Sequence, residues 1–103
     1  MRVSVGYITF PNQKEAREMV TALLEAGLIA CANIIPGAES YFLWEDEVQK
    51  QSEYIVILKT KEENEEKIVK FVEKYHTYEV PCVVFWPLSF GSADYLKWVD
   101  KSC

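Results

Sequence analysis

Apolar positions recur along this chain with two different periods, and each change of period marks a change of element. In Arg2–Phe10 (RVSVGYITF), Val3, Val5 and Tyr7 share one parity and Ser4, Gly6 and Ile8 the other, the alternation of a strand, which Pro11 closes. Ala16, Met19, Val20, Leu23 and Leu24 then follow at helical spacing. Asn12 stands before Glu15 as a capping-box-like pair, and Gly27 is placed to end the helix in the left-handed conformation, so the pattern predicts a helix from about Gln13 to Ala26. Between Ala30 and Thr60 the period returns to two. Ile34-Ile35, Tyr41–Trp44 and Tyr54–Leu58 predict one long hairpin with a tight turn at Glu45-Asp46, while Pro36-Gly37 predicts a bulge in its first arm.

Thr60 and Glu63 read as a second capping box, and Glu62, Glu63, Glu65 and Glu66 suit the first turns of a helix as a solvated face. Ile68, Phe71, Val72 and Tyr75 form its buried stripe, and His76-Thr77 end it. Val80–Trp86 predicts a buried strand closed by Pro87. Ser92 caps a short last helix, from which Tyr95, Leu96 and Val99 pack back with Trp98 beside them. The order β-α-β-β-α-β plus a terminal helix predicts an α+β fold of the ferredoxin-like plan. Its sheet is four-stranded and antiparallel, with a long central β-hairpin and two helices on one face, and crossovers long enough to join parallel neighbours. Residues 1–103 are read as a single domain.

The second arm of the hairpin adds a requirement. Tyr54, Val56 and Leu58 point to one face of the sheet and Ile55 and Ile57 to the other, so both faces are apolar. A sheet covered on one side shows clean alternation instead. With 103 residues in all, the expected cover for the second side is another copy of the chain.

Composition narrows the function. The net charge is −5 with Lys and Arg scattered, which leaves no footprint for nucleic acid. No apolar run approaches the roughly 20 residues that span a bilayer, and neither a signal peptide nor membrane association is expected. Cys31, Cys82 and Cys103 are odd in number and lack zinc-module spacing, which favours free thiols and a cytoplasmic location. One histidine and no nucleotide or hydrolase motif argue against an enzyme; a Cys31–His76 dyad has no nameable orienting group. An acylphosphatase-like enzyme would want an arginine and a phosphate-cradling loop near the first strand, and only Arg2 and Arg17 are present. Cys31 and His76 are instead candidate metal ligands, suited to copper or zinc and completed by neighbouring copies. Glu53 and Lys59 share parity but lie roughly 20 Å apart along the strand, so they do not pair. Each is expected to face an intersubunit cleft with Trp44 or Tyr78.

Several segments together carry a family resemblance: Thr9-Phe10-Pro11-Asn12, Leu28–Ile34, Tyr41 with Trp44-Glu45, Glu53 with Lys59-Thr60, His76, Tyr78-Glu79, Pro81, and Tyr95-Leu96-x-Trp98. In their order and spacing the chain resembles the CutA family, linked to divalent-cation tolerance, over nearly its whole length. The resemblance implies a homotrimer of ferredoxin-like subunits, similar to PII proteins, in which hairpins pair across subunits. It implies a non-enzymatic role in the response to divalent metal ions, with copper as a possible ligand and no required cofactor. The rival reading is a PII-like signalling module that binds a metabolite or protein in the intersubunit clefts. Asp46 stands where the family usually has glycine, and Thr77 where it usually has proline. Tyr75 and Ile8 occupy places where some members carry a second histidine or an early cysteine associated with copper.

Overall fold

In the computed structural model, which describes residues 2–103, the two strands apolar at both parities lie at the centre of the sheet. These are β1 (Val3–Phe10) and β3 (Glu47–Lys61). β2 (Cys31–Trp44) pairs with β3 on one side, β4 (Val83–Pro87) pairs with β1 on the other, and all pairings are antiparallel. The β2-β3-β1-β4 order means that each helical crossover passes over one strand. The crossovers therefore join parallel strands that are not neighbours, whereas the sequence reading had placed such strands side by side.

α1 (Gln13–Glu25) begins as its sequence predicts. Asn12 Oδ1 accepts the Glu15 amide at 2.9 Å, and the Glu15 carboxylate accepts the Asn12 side-chain amide at 2.8 Å. Gly27 ends the helix at φ 72°. α2 (Glu65–Tyr75) starts later than the Thr60–Glu63 pair implied. Thr60 is a fully buried strand residue whose hydroxyl donates to the Leu28 carbonyl at 2.7 Å, and a 3-10 turn at Glu62–Asn64 intervenes with no side-chain cap. Ile8, Phe10, Val56 and Leu58 meet Ala16, Met19, Leu23, Ile68 and Val72 in the main core. Leu24 and Tyr75, both assigned to buried stripes by spacing, are exposed. β4 begins at Val83 rather than Val80 and is a sheet edge, with Val80 in solvent.

The second face is covered in part by the chain itself. α3 (Ala93–Ser102), capped by Ser92, packs on β1 and β3, and Val99 is buried together with Val3 and Val5. Beyond α3 the face is open: Ile35, Val84 and Trp86 retain 42%, 51% and 45% exposure.

The hairpin runs past the sheet. Phe10↔Tyr54 is the last β1–β3 rung, so Ala38–Trp44 and Glu47–Glu53 pair only with each other. The register slips between Ile35 and Ala38, at Pro36-Gly37, where Gly37 has φ 82°. One extra residue reverses side-chain parity. Cys31, Asn33 and Ile35 lie on the second face before the bulge; Ala38, Ser40, Phe42 and Trp44 lie on it afterwards. Glu45 and Asp46, at φ 52° and 67°, both take the left-handed conformation of a two-residue hairpin turn.

Candidate functional site

The parity switch builds a cleft. The second face of the projecting hairpin and the 78–82 segment enclose about 700 Å³, lined by Tyr7, Phe42, Trp44, Gln51, Glu53 and Tyr78 among others. Glu53 is only 7% exposed. Its Oε2 accepts the Tyr78 hydroxyl at 2.6 Å, and the same hydroxyl accepts the Gln51 side-chain amide at 2.7 Å. Burial first, then the bond to Glu53, pushes the Tyr78 phenol well above its ordinary range. Cys82 also lines the cleft, and burial followed by the Glu53 charge pushes its thiol up.

Three of the four residues expected at a cleft thus come together: Trp44, Glu53 and Tyr78. Lys59 does not join them. Its Nζ donates to Asn33 Oδ1 at 3.1 Å, on the stretch of the hairpin where Lys59 pairs with Cys31, and Glu53 and Lys59 have separate partners as their spacing required. Gln51, Tyr7 and Cys82 were missed. Gln51 shares Glu53's parity two residues away, which was a usable signal; the approach of Tyr7 and Cys82 depends on topology.

Cys31 and His76 are not brought together within the chain. Cys31 lies on the second face, its sulfur 3.3 Å from the Tyr95 hydroxyl. That hydrogen bond, then burial, raises the Tyr95 phenol to about 12. His76 caps α2 beside the main core and stacks on Phe10, with ring centroids 4.7 Å apart. Its Nε2–H donates to the Thr9 carbonyl at 2.8 Å, and its Nδ1 accepts the Tyr78 amide at 3.0 Å. The ring is therefore the neutral tautomer with both nitrogens engaged. Among the described residues no group of three or more His, Cys, Asp or Glu is placed to hold a metal ion.

A second, smaller depression of about 460 Å³ lies between the helices, lined by Phe10, Glu15, Met19, Phe71, Tyr75 and His76 among others. Glu15 there already accepts hydrogen bonds from Asn12 and Thr77.

The family model described as CutA1 divalent ion tolerance protein matches residues 4–102. A chloroplastic CutA protein of Arabidopsis thaliana is 38% identical over 95% of this chain and 54% of its own length. The divalent-cation tolerance protein CutA of Archaeoglobus fulgidus is 35% identical over 93% of both chains. The chain spans about half the length of the plant and mammalian relatives it matches. The crystal structure of CutA1 from Oryza sativa superposes with a TM-score of 0.96 at 34% identity, covering 99% of this chain and 94% of the other. That of the Thermus thermophilus protein gives 0.94 at 35% identity, covering 97% of each.

Proposed function

Because the chain belongs to the CutA1 divalent ion tolerance family, we propose that it acts as a non-enzymatic homotrimer in the response to divalent metal ions. The carrying observation is the apolar second face beyond α3, where Ile35, Val84 and Trp86 stand open beside half-buried Ile55 and Ile57. A patch of that kind marks an interface. β2 supplies a second reason. It is 14 residues long and a sheet edge throughout, with backbone groups free to pair with a neighbouring hairpin. A trimer in the manner of the PII proteins would cover both.

Copper or another divalent cation is proposed as cargo, not as a resident cofactor. The coordinating set would come from more than one copy, since the described residues of one chain bring no three ligands together. Cys31 is the proposed thiolate donor. His76 is the proposed imidazole donor, through Nδ1 once the Tyr78 amide releases it. A cytoplasmic site of action accompanies this reading and rests on three unpaired cysteines. Among the described residues no helix is long and apolar enough to cross a membrane.

Calorimetric titration with copper(I) tests the metal reading. Cys31→Ser and His76→Gln should each weaken binding and Cys103→Ser should not; affinity should rise with pH as the thiolate forms. Magnesium and calcium, which want oxygen ligands, should not compete. Loss of binding in Cys103→Ser alone would overturn the ligand assignment.

A further inference from the structure

We propose that the hairpin cleft is a binding site for a small organic cation, with Glu53 as the anionic anchor and the hairpin aromatics as its walls. This goes beyond the metal reading and does not depend on it. The starting observation is an incompletely used carboxylate. Glu53 is among the most buried charged residues of the chain, yet only Oε2 has a partner, the Tyr78 hydroxyl at 2.6 Å. Oε1 takes no hydrogen bond from the described residues, and it is not sealed from the cleft. A desolvated carboxylate with a free oxygen is costly unless a donor or a positive charge meets it. Tyr78 is not free to turn towards a second task, because Gln51 donates to its hydroxyl and holds it in place.

The surroundings define the class of ligand. The cleft is lined by a second carboxylate, Glu79, and by no Lys, Arg or His. Lys50 sits 5.9 Å from the ring centroid of Tyr41 but is not one of the lining residues. Tyr7, Phe42 and Trp44 add π-faces to the same cleft, and aromatic faces beside a carboxylate suit an ammonium or guanidinium group on an apolar stem. A bare divalent cation is a poorer match. It wants six or more oxygens, and Glu53 and Glu79 do not belong to any group of three potential ligands. A cleft of about 700 Å³ is of the size that takes small molecules.

The test uses the assembled protein and butylammonium chloride, with 1-butanol as the neutral isostere. Calorimetry should give saturable butylammonium binding at one site per protomer, about tenfold or more tighter than butanol, as a charge-assisted hydrogen bond requires. The Trp44 indole NMR signal of the parent protein should shift along the same isotherm, which keeps the test independent of any variant. Glu53→Gln keeps an acceptor for Tyr78 and should bring butylammonium down to the level of butanol. Equal binding of butanol by the parent, unchanged binding by Glu53→Gln, or no saturation would overturn the proposal. So would competitive displacement by copper(I) or zinc, which would make the cleft a metal site. If Glu53→Gln instead lowers the assembled mass, the carboxylate serves a basic side chain of a second copy and the free-ligand site is refuted.

Discussion

Gly6→Ala should destabilise the fold, and the cost follows from where Gly6 sits. It lies in β1 on the helix-covered face, with Leu58 of β3 on one side and Phe85 of β4 on the other. A Cβ built there would lie 2.8 Å from Leu58 Cδ1, 2.8 Å from Phe85 Cε1 and 2.9 Å from Leu58 Cγ. Comfortable carbon contacts are about 3.5–4.0 Å, so both neighbours must retreat by roughly an ångström. Phe85 is half-buried and its ring edge has some room to move. Leu58 does not: it is fully buried, belongs to the main core, and meets the new methyl with a branch carbon. Overpacking of this kind costs about 1–3 kcal/mol. The lower chain entropy of alanine returns about 0.5–1 kcal/mol, leaving a net loss of about 1–2 kcal/mol. Urea denaturation should then show the midpoint falling by roughly half to one molar at unchanged slope. Melts at several protein concentrations separate this loss from any effect of assembly. A variant as stable as the parent, with the same slope, would refute the close approach of Leu58 and Phe85 to the backbone of β1.

Asp46→Gly should raise stability by about 0.5–1 kcal/mol, because Glu45 and Asp46 both hold positive φ and glycine relieves one of them; a thermal melt checks it. Trp44 is half exposed at the hairpin end and has little core of its own to enter, so Trp44→Ala should loosen assembly before it unfolds the protomer. Sedimentation at falling concentration reads this, and assembly as tight as the parent's would show that Trp44 is no anchor. Tyr78 and Tyr95 both have phenols raised above the ordinary value of about 10. Their folded forms keep protons that the unfolded chain gives up, so the stability they contribute is present below about pH 10 and is lost as pH rises through the folded values. Cys31→Ala removes the largest cause at Tyr95, and ultraviolet titration should find that phenol ionising at lower pH.

The elements were legible because their signals are local. Asn12 and Glu15 needed only each other to start α1, and the two-sided arm Tyr54–Leu58 announced from its own composition a strand apolar on both faces. Spacing misled where a tertiary bond competed. Thr60 and Glu63 stand at capping distance, but the Leu28 carbonyl takes the Thr60 hydroxyl and the strand runs on to Lys61. Pro36-Gly37 announced a bulge but not its consequence, the reversal that turns Phe42 and Trp44 towards Glu53. The Glu53–Tyr78 bond joins residues 25 positions apart, and only the placement of the 78–82 segment against the hairpin brings them together. Cys31 and His76 had suitable chemistry as residue types. Their separation was decided by which face each occupies, and the engagement of both imidazole nitrogens by backbone partners that no spacing rule exposes.

The proposal that another copy covers the open second face is tested most directly by the mass of the protein in solution. Sedimentation equilibrium at low micromolar concentration should give one species at three times the 11.9 kDa protomer. Trp86→Glu places a charge at the β4 edge of the open patch and should shift that species towards the protomer while leaving the far-ultraviolet spectrum unchanged. A parent protein that sediments as a stable 11.9 kDa monomer under the same conditions would contradict the account.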